Sequence, residues 1–158
     1  LPCMNCGISY SKPMWQNFEK INYDNLQPKQ KENFNYQKVA AAFADYGFNC
    51  IKLNDDWNGA DFIAHHIDGK TFLRIQLKAR LTFAKKYMNK ELWICFPYLE
   101  NIYCYPHDKG LTEVRSLMIQ SNNTDFTAAS NWTKNEMATW AYPTKIHQAW
   151  LDEKYKLN

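Results

Sequence analysis

The dipeptide Asp68-Gly69 constrains what this chain can fold into more than any other feature of its sequence. It separates two stretches rich in apolar residues, 60–67 and 70–79. Asp-Gly between two such stretches is one of the strongest short signals for a β-hairpin. The sequence therefore predicts two adjacent antiparallel strands whose register can be counted outward from the turn.

That register brings three polar side chains together at the far end of the hairpin. If Asp68 and Gly69 form the loop, Asp61 lies directly opposite Gln76, and directly opposed residues carry their side chains on one face with Cβ atoms ~5 Å apart. Lys78 is two residues further along and shares that face. Because the surrounding strand residues are apolar, a carboxylate or an ammonium among them is costly unless it is paired or bound to an ion. The pattern indicates a functional site or, alternatively, an Asp61–Lys78 ion pair on a solvated hairpin.

The same side chains have the chemistry of a magnesium site. Mg²⁺ takes oxygen ligands and commonly uses one or two carboxylates, with water and substrate phosphate completing its shell. Asp61 would be the anionic ligand, the Gln76 side-chain oxygen a neutral one, and the Leu77 carbonyl a third. Lys78 would orient or help to deprotonate an attacking water, or balance charge in the transition state.

The remaining sequence predicts an α/β domain with a central mixed sheet flanked by helices. From Lys29 apolar residues recur at three- and four-residue steps, which is typical of a helix, and Gly47 stands where a helix C-cap belongs. The further predicted elements are a buried strand at 48–53, a turn at 54–59, a loop or short helix at 81–91, strands at 91–96 and 101–105, and helices at 111–119 and 144–155.

Length and composition agree with a single domain. The 158 residues suffice for one sizeable core, and we expect residues 1–158 to form one domain. Within it we expect an irregular arm at 1–28 with a short helix near 15–21, a catalytic core at 29–106 and a helical part at 107–158. No stretch reaches the ~18 apolar residues of a membrane span.

The five cysteines and the net charge of +3 bear on location and partners. An odd, sparse set of cysteines is typical of reduced thiols, so we expect a cytoplasmic protein. The pair Cys3 and Cys6 forms half of a zinc motif, with an incidental role favoured over metal binding. The charge permits nucleic-acid binding without arguing for it, so a local basic patch would have to supply the attraction.

The residues around the predicted site resemble the PD-(D/E)xK nuclease superfamily. The resemblance is carried by Gly-Ala-Asp-Phe-Ile at 59–63, the hairpin, and Arg-Ile-Gln-Leu-Lys-Ala-Arg at 74–80, and with the preceding helix and strand it extends over 30–106. That family includes many restriction endonucleases, junction resolvases, repair nucleases and some homing endonucleases. The resemblance implies a restriction-endonuclease-like αβββαβ core and phosphodiester hydrolysis with Mg²⁺ or Mn²⁺. It assigns metal binding to Asp61 and Gln76, and assistance of the nucleophile to Lys78.

Two features depart from the family pattern. Where Gln76 stands, the family usually has Glu, so one negative charge is missing. Many members also carry a glutamate on the first helix, where this chain offers Tyr36 and Gln37. Asp56, before the second strand, is a further candidate ligand.

A basic run follows the predicted site. Arg80, Lys85 and Lys86 are candidates for nucleic-acid binding, and the alternative is an ordinary solvated face. The sequence thus predicts a metal-dependent endonuclease acting on DNA, of restriction, homing, repair or junction type. Cutting both strands of a duplex would need two sites, which favours a homodimer or higher homo-oligomer. The alternatives are an RNA-cleaving nuclease of toxin type and a non-catalytic nucleic-acid-binding module. The recognition sequence stays open.

Overall fold

The structure is a computed structural model that describes residues 14–120 and 136–158. The chain divides into two compact units, Leu1–Glu32 and Asn33–Asn158. Within the first, short 3-10 helices span Met14–Asn17 and Tyr23–Asn25, where the sequence predicts one short helix. Cys3 and Cys6 lie outside the described residues.

Helices flank a central mixed sheet, which confirms the predicted fold class. The elements are α1 (Pro28–Ala44), β1 (Phe48–Trp57), β2 (Ala60–His66), β3 (Phe72–Leu77), β4 (Leu81–Ala84), a 3-10 helix (Lys85–Tyr87), β5 (Leu92–Tyr98), β6 (Asn101–Pro106), α2 (His107–Gln120), β7 (Met137–Trp140) and α3 (Lys145–Lys154). No helix among the described residues is long and apolar enough to cross a membrane.

The central sheet has the strand order β1-β2-β3-β5-β6, and β4 pairs separately with β7. Neighbours in the central sheet are antiparallel except for β3 and β5, which run parallel. A parallel pair requires a crossover connection, for which an αβββαβ core would use a helix. Here β4 and the 3-10 helix provide the crossover, and α2 follows β6 instead. Residues 81–84 form a strand rather than a helix because they pair with β7, which is far away in sequence. They are buried along their whole length.

The register of β2 against β3 is the predicted one, although the turn between them is different. Phe62 lies opposite Ile75, and the pairing continues in step toward the loop. The loop spans four residues rather than two, because the His66 N–H donates to the carbonyl of Thr71 at 2.9 Å. The Asp68 carboxylate accepts hydrogen bonds from Thr71 and from the neighbouring backbone. These bonds hold the pKa of Asp68 well below its ordinary value.

A two-residue hairpin turn does occur, at Asn58-Gly59. The sequence predicts a turn over 54–59, but β1 continues to Trp57, which pairs with Ala60. Asn58 and Gly59 have φ of 51° and 86°, and positive φ at both central residues is the requirement of a type I′ turn. The β1–β2 ladder is irregular between Lys52 and Trp57.

Two apolar clusters cover opposite faces of the central sheet. On one face, Val39 and Phe43 of α1 belong to a cluster with Phe62 and Ile75. The larger cluster joins β5 and β6 to α2, α3, β4 and β7 on the other face. Strand alternation puts Asp61, the neighbour of Phe62, on the face away from α1. The chain end runs beside β6, where the Leu157 N–H donates to Ile102 and the Cys104 N–H donates to Tyr155.

Candidate functional site

The carboxylate of Asp61 reaches the end of β3. The regular β2–β3 pairing is last seen at Phe62 and Ile75. One residue further on, Asp61 Oδ2 accepts the backbone N–H of Leu77 at 2.8 Å. Asp61 is half-buried, so this bond orients a partly desolvated carboxylate. The type I′ turn sets the position of Asp61, because Asp61 follows Gly59 by only two residues.

Gln76 and Leu77 lie in the same cluster of hydrogen bonds. Gln76 Nε2 donates to the Leu77 carbonyl at 3.3 Å, and the Leu77 N–H is the group that Asp61 binds. The three predicted metal ligands are therefore brought together. For both Gln76 Oε1 and the Leu77 carbonyl to bind one cation, the amide must turn over.

The oxygen ligands of the predicted site suit a hard cation, although they carry little negative charge. They consist of one carboxylate and two neutral oxygens, from Asp61, Gln76 and Leu77, and water and phosphate oxygens complete the shell of Mg²⁺ in such sites. Among the described residues no group of three or more His, Cys, Asp and Glu side chains is arranged to hold a metal. Of the three predicted ligands, only Asp61 supplies a carboxylate.

Lys78 follows directly after β3 and extends the β3–β5 ladder. Its N–H donates to the Cys95 carbonyl at 2.8 Å. Its side chain is half-buried, and Nζ lies 5.3 Å from the centroid of the Tyr87 ring. A cation within about 6 Å of an aromatic face is attracted by the ring quadrupole. Lys78 thus directly follows the residues of the oxygen cluster, and its ammonium lies over an aromatic ring.

Tyr87 is held by the buried His107, which pairs with the partly exposed Asp108. His107 Nε2 accepts the N–H of Ala84 at 3.0 Å, and its Nδ1 is 2.8 Å from Asp108 Oδ1. Because Nε2 accepts a backbone proton, Nδ1 is the nitrogen that donates. Burial lowers the pKa of His107, and Asp108 opposes that shift. The other Asp108 oxygen accepts the N–H of Asn89 at 2.8 Å, so the pair fastens both ends of the segment that carries Tyr87.

The predicted nucleic-acid contacts lie after the site and differ in their pairing. Arg80, Lys85 and Lys86 are all exposed. Lys85 Nζ lies 3.1 Å from Glu136 Oε1, which offsets its charge. Lys86 Nζ lies 5.1 Å from the centroid of the Tyr87 ring. The structure therefore places two lysines, 78 and 86, against one aromatic ring.

Two of the additional candidates, Tyr36 and Gln37, are not brought to Asp61. Tyr36 packs edge-on against Phe62, with ring centroids 5.1 Å apart, and Phe62 faces α1 while Asp61 faces away. Gln37 is exposed on α1. The side chain of Asp56 lies outside what the structure describes. Sequence reasoning also gave no separate role to Tyr87. Its contact with Lys78 becomes visible only in the folded chain.

Two solved structures resemble this chain in part. A Holliday junction resolvase from the archaeal hyperthermophile Archaeoglobus fulgidus is 14% identical with a TM-score of 0.35, over 44% of this chain and 74% of its own. A bacterial homing endonuclease is 12% identical with a TM-score of 0.45, over 75% of this chain and 78% of its own. No protein-family model matches the chain, and no curated protein matches it. At this level of likeness the function has to be argued from the site itself.

Proposed function

We propose that this protein is a metal-dependent endonuclease that hydrolyses phosphodiester bonds in DNA, with a variant PD-(D/E)xK site formed by Asp61, Gln76 and Lys78. The observation that carries the proposal is the Asp61 carboxylate bound to the Leu77 N–H at 2.8 Å. The half-buried Lys78 comes directly after Leu77, at the end of β3. A carboxylate oriented to hold a metal ion, followed by a lysine ammonium, suits an anionic substrate such as a phosphodiester.

Each residue has a distinct part in this mechanism. Asp61, with the oxygens of Gln76 and Leu77, would hold Mg²⁺ or Mn²⁺. When bound, the ion would supply positive charge against the phosphodiester and acidify a ligated water. Lys78 directs its N–H donors at the attacking water or at a phosphate oxygen, where negative charge grows in the transition state. The Leu77 N–H keeps the Asp61 carboxylate oriented before substrate arrives.

The basic residues after the site would bind the substrate backbone. Arg80 and Lys86 are exposed cations that follow Lys78 in sequence, and contacts to phosphate orient a nucleic acid without reading its sequence. Lys85 would have to exchange Glu136 for phosphate. Cleavage of both strands of a duplex requires two copies of the site, so we propose a homodimer or a higher homo-oligomer.

A second candidate function is a nucleic-acid-binding module without catalysis. The observation that favours it is Gln76, whose neutral amide donates to the Leu77 carbonyl where the family pattern has a carboxylate. With one carboxylate the site would bind a cation weakly. A third candidate, RNA cleavage, differs only in substrate and is separated by the same experiment.

The proposal is tested by cleavage of supercoiled plasmid, with RNA and branched DNA as further substrates, in Mg²⁺ or Mn²⁺. We expect wild-type protein to cut DNA. Asp61→Asn and Lys78→Met should each lower the rate by about 100-fold or more, as the loss of a charge-stabilising or acid–base group does. Asp61→Asn keeps an oxygen that can accept the Leu77 N–H, so the fold is preserved.

Matched controls use the same substitutions at exposed positions outside the site. Asp45→Asn and Lys70→Met change exposed side chains, and both should cut at the wild-type rate. If only RNA were cleaved, the proposed substrate would have to be changed from DNA to RNA. Wild-type protein that cuts none of the three substrates with either metal would contradict an enzymatic function and leave the binding module.

A further inference from the structure

We propose that Tyr87 is a positioning residue that holds the Lys78 ammonium at the reaction centre through the face of its aromatic ring. The inference rests on the proposed function and adds to it a residue outside the PD-(D/E)xK pattern. Tyr87 is 4% exposed, and Lys78 Nζ lies 5.3 Å from its ring centroid. A cation–π contact is stronger when the ring is desolvated.

The ring is well placed to act as a fixed support. Tyr87 ends the 3-10 helix Lys85–Tyr87, and the backbone on both sides of that helix is bound by His107 and Asp108. The His107 ring packs edge-on against Tyr87, with centroids 5.7 Å apart and an interplanar angle of 83°. A side chain locked by packing and hydrogen-bonded neighbours can hold a functional group in place with little freedom.

The same ring also lies against the turn that leads to the carboxylate. A Cβ at Gly59 would stand 3.4 Å from Tyr87 Cδ1, which is van der Waals contact, and Gly59 precedes Asp61 by two residues. Tyr87 therefore lies close to the turn before β2, in the same apolar cluster as Ala60, while it supports the lysine that follows β3. One ring thus relates the positions of the anionic and the cationic group of the site.

A ring suits this task better than a carboxylate would. Lysine has a long, flexible side chain that must be restrained to act at one point. A carboxylate partner would restrain it but would also neutralise it and compete with a substrate phosphate. Within the described residues, Lys78 makes no ion pair within 4 Å. The ring restrains the ammonium and leaves its charge and its N–H donors for the substrate.

The test compares Tyr87→Leu with Tyr87→Phe, which keeps an aromatic face. The matched control is Phe96→Leu, a substitution in the same apolar cluster at a ring that packs against Tyr103 and Tyr105. The first readout needs no activity. An aromatic face shifts the NMR signals of nearby protons upfield, so the Lys78 ε-protons, assigned by their loss in Lys78→Arg, report on the contact.

The second readout is the single-turnover rate on plasmid DNA in Mn²⁺, with DNA affinity measured alongside. We expect Tyr87→Leu to lose the upfield shift of the Lys78 ε-protons. It should also cut about tenfold slower or worse than Phe96→Leu, with DNA affinity within about twofold, because misplacement of a reacting group lowers rate rather than binding. Tyr87→Phe should keep both the shift and the rate.

Two results would overturn the inference. One is a Tyr87→Leu protein that retains the wild-type Lys78 signals or cuts as fast as Phe96→Leu. The other is a Tyr87→Phe protein as slow as Tyr87→Leu, since an aromatic face alone would then be insufficient. Wild-type protein that cuts no nucleic acid would instead overturn the proposed function, so the two failures can be told apart.

Discussion

Gln76 decides the charge of the proposed metal site. With Asp61 as the only carboxylate among the three predicted ligands, each added negative charge changes the attraction for a divalent cation directly. The amide also suits the metal-free chain, because its Nε2 donates to the Leu77 carbonyl. A carboxylate there would face that carbonyl with two acceptors and no donor. Glutamine therefore favours the apo fold at a cost in metal affinity.

We predict that Gln76→Glu binds Mn²⁺ at least about tenfold more tightly than wild type, since ligand charge sets affinity in oxygen sites. Calorimetric titration of metal into both proteins measures the difference. Gln120→Glu, an exposed change at the end of α2, is the matched control and should bind as wild type does. Equal affinity of Gln76→Glu and wild type would place the cation elsewhere or nowhere.

At the scale of elements, the sequence predicted the pairing of β2 with β3 correctly and the turns around it incorrectly. Alternation and the Asp-Gly signal located the hairpin, because a register shift by one residue would expose its apolar face. Asp68 then drew the loop wider by accepting bonds from Thr71 and Lys70. The two-residue turn is instead at Asn58-Gly59. The sequence pattern did not indicate it, because the end of the preceding strand β1 carries polar residues.

Elements that depend on distant partners could not be predicted from local pattern. β4 is four residues long and is a strand because β7, more than fifty residues later, pairs with it. Tyr87 likewise acquires its contact with Lys78 only when the crossover returns past β3. Asp61, Gln76 and Lys78 were accessible to sequence reasoning because all three belong to one hairpin.

The two glycine turns differ in their surroundings, which predicts different costs of substitution. Both glycines have positive φ, so alanine is strained at each by roughly 1 kcal/mol. A Cβ at Gly69 meets nothing within 4 Å, whereas one at Gly59 would lie 2.8 Å from Leu92 Cδ1, in the packed core. We expect Gly59→Ala to lose roughly 1–3 kcal/mol more than Gly69→Ala. Urea unfolding of both variants measures this, and equal losses would contradict it.

For the molecule as a whole, two buried histidines link stability to pH. His147 caps α3 by accepting the N–H of Thr144 through Nδ1, and burial lowers its pKa to about 4. Burial lowers the pKa of His107 as well. The unfolded chain takes up these protons near pH 6.5, the ordinary histidine value, and the folded chain only at lower pH. The stabilisation from both is therefore complete above that pH and is lost as pH falls, for His147 toward pH 4.

We predict that the free energy of unfolding falls by about 2 kcal/mol between pH 8 and pH 5 on account of His147 alone. In His147→Gln the slope should be correspondingly smaller. Glutamine at this helix position can still receive the Thr144 N–H, as in a capping box, so the cap is kept while the titration is removed. Urea unfolding across this range measures both slopes. Identical slopes for wild type and His147→Gln would show that the ring does not control acid stability.

The backbone beside β6 has a consequence for how this molecule meets others of its kind. Residues Tyr155 and Leu157 hydrogen-bond along β6, which closes that margin of the central sheet. The opposite margin is β1, whose regular ladder with β2 breaks after Lys52. An uninterrupted row of free peptide groups is what templates strand-by-strand aggregation. Because Tyr155 and Leu157 cover β6, such a row is missing at that margin, which opposes fibrillar growth from that side of the sheet.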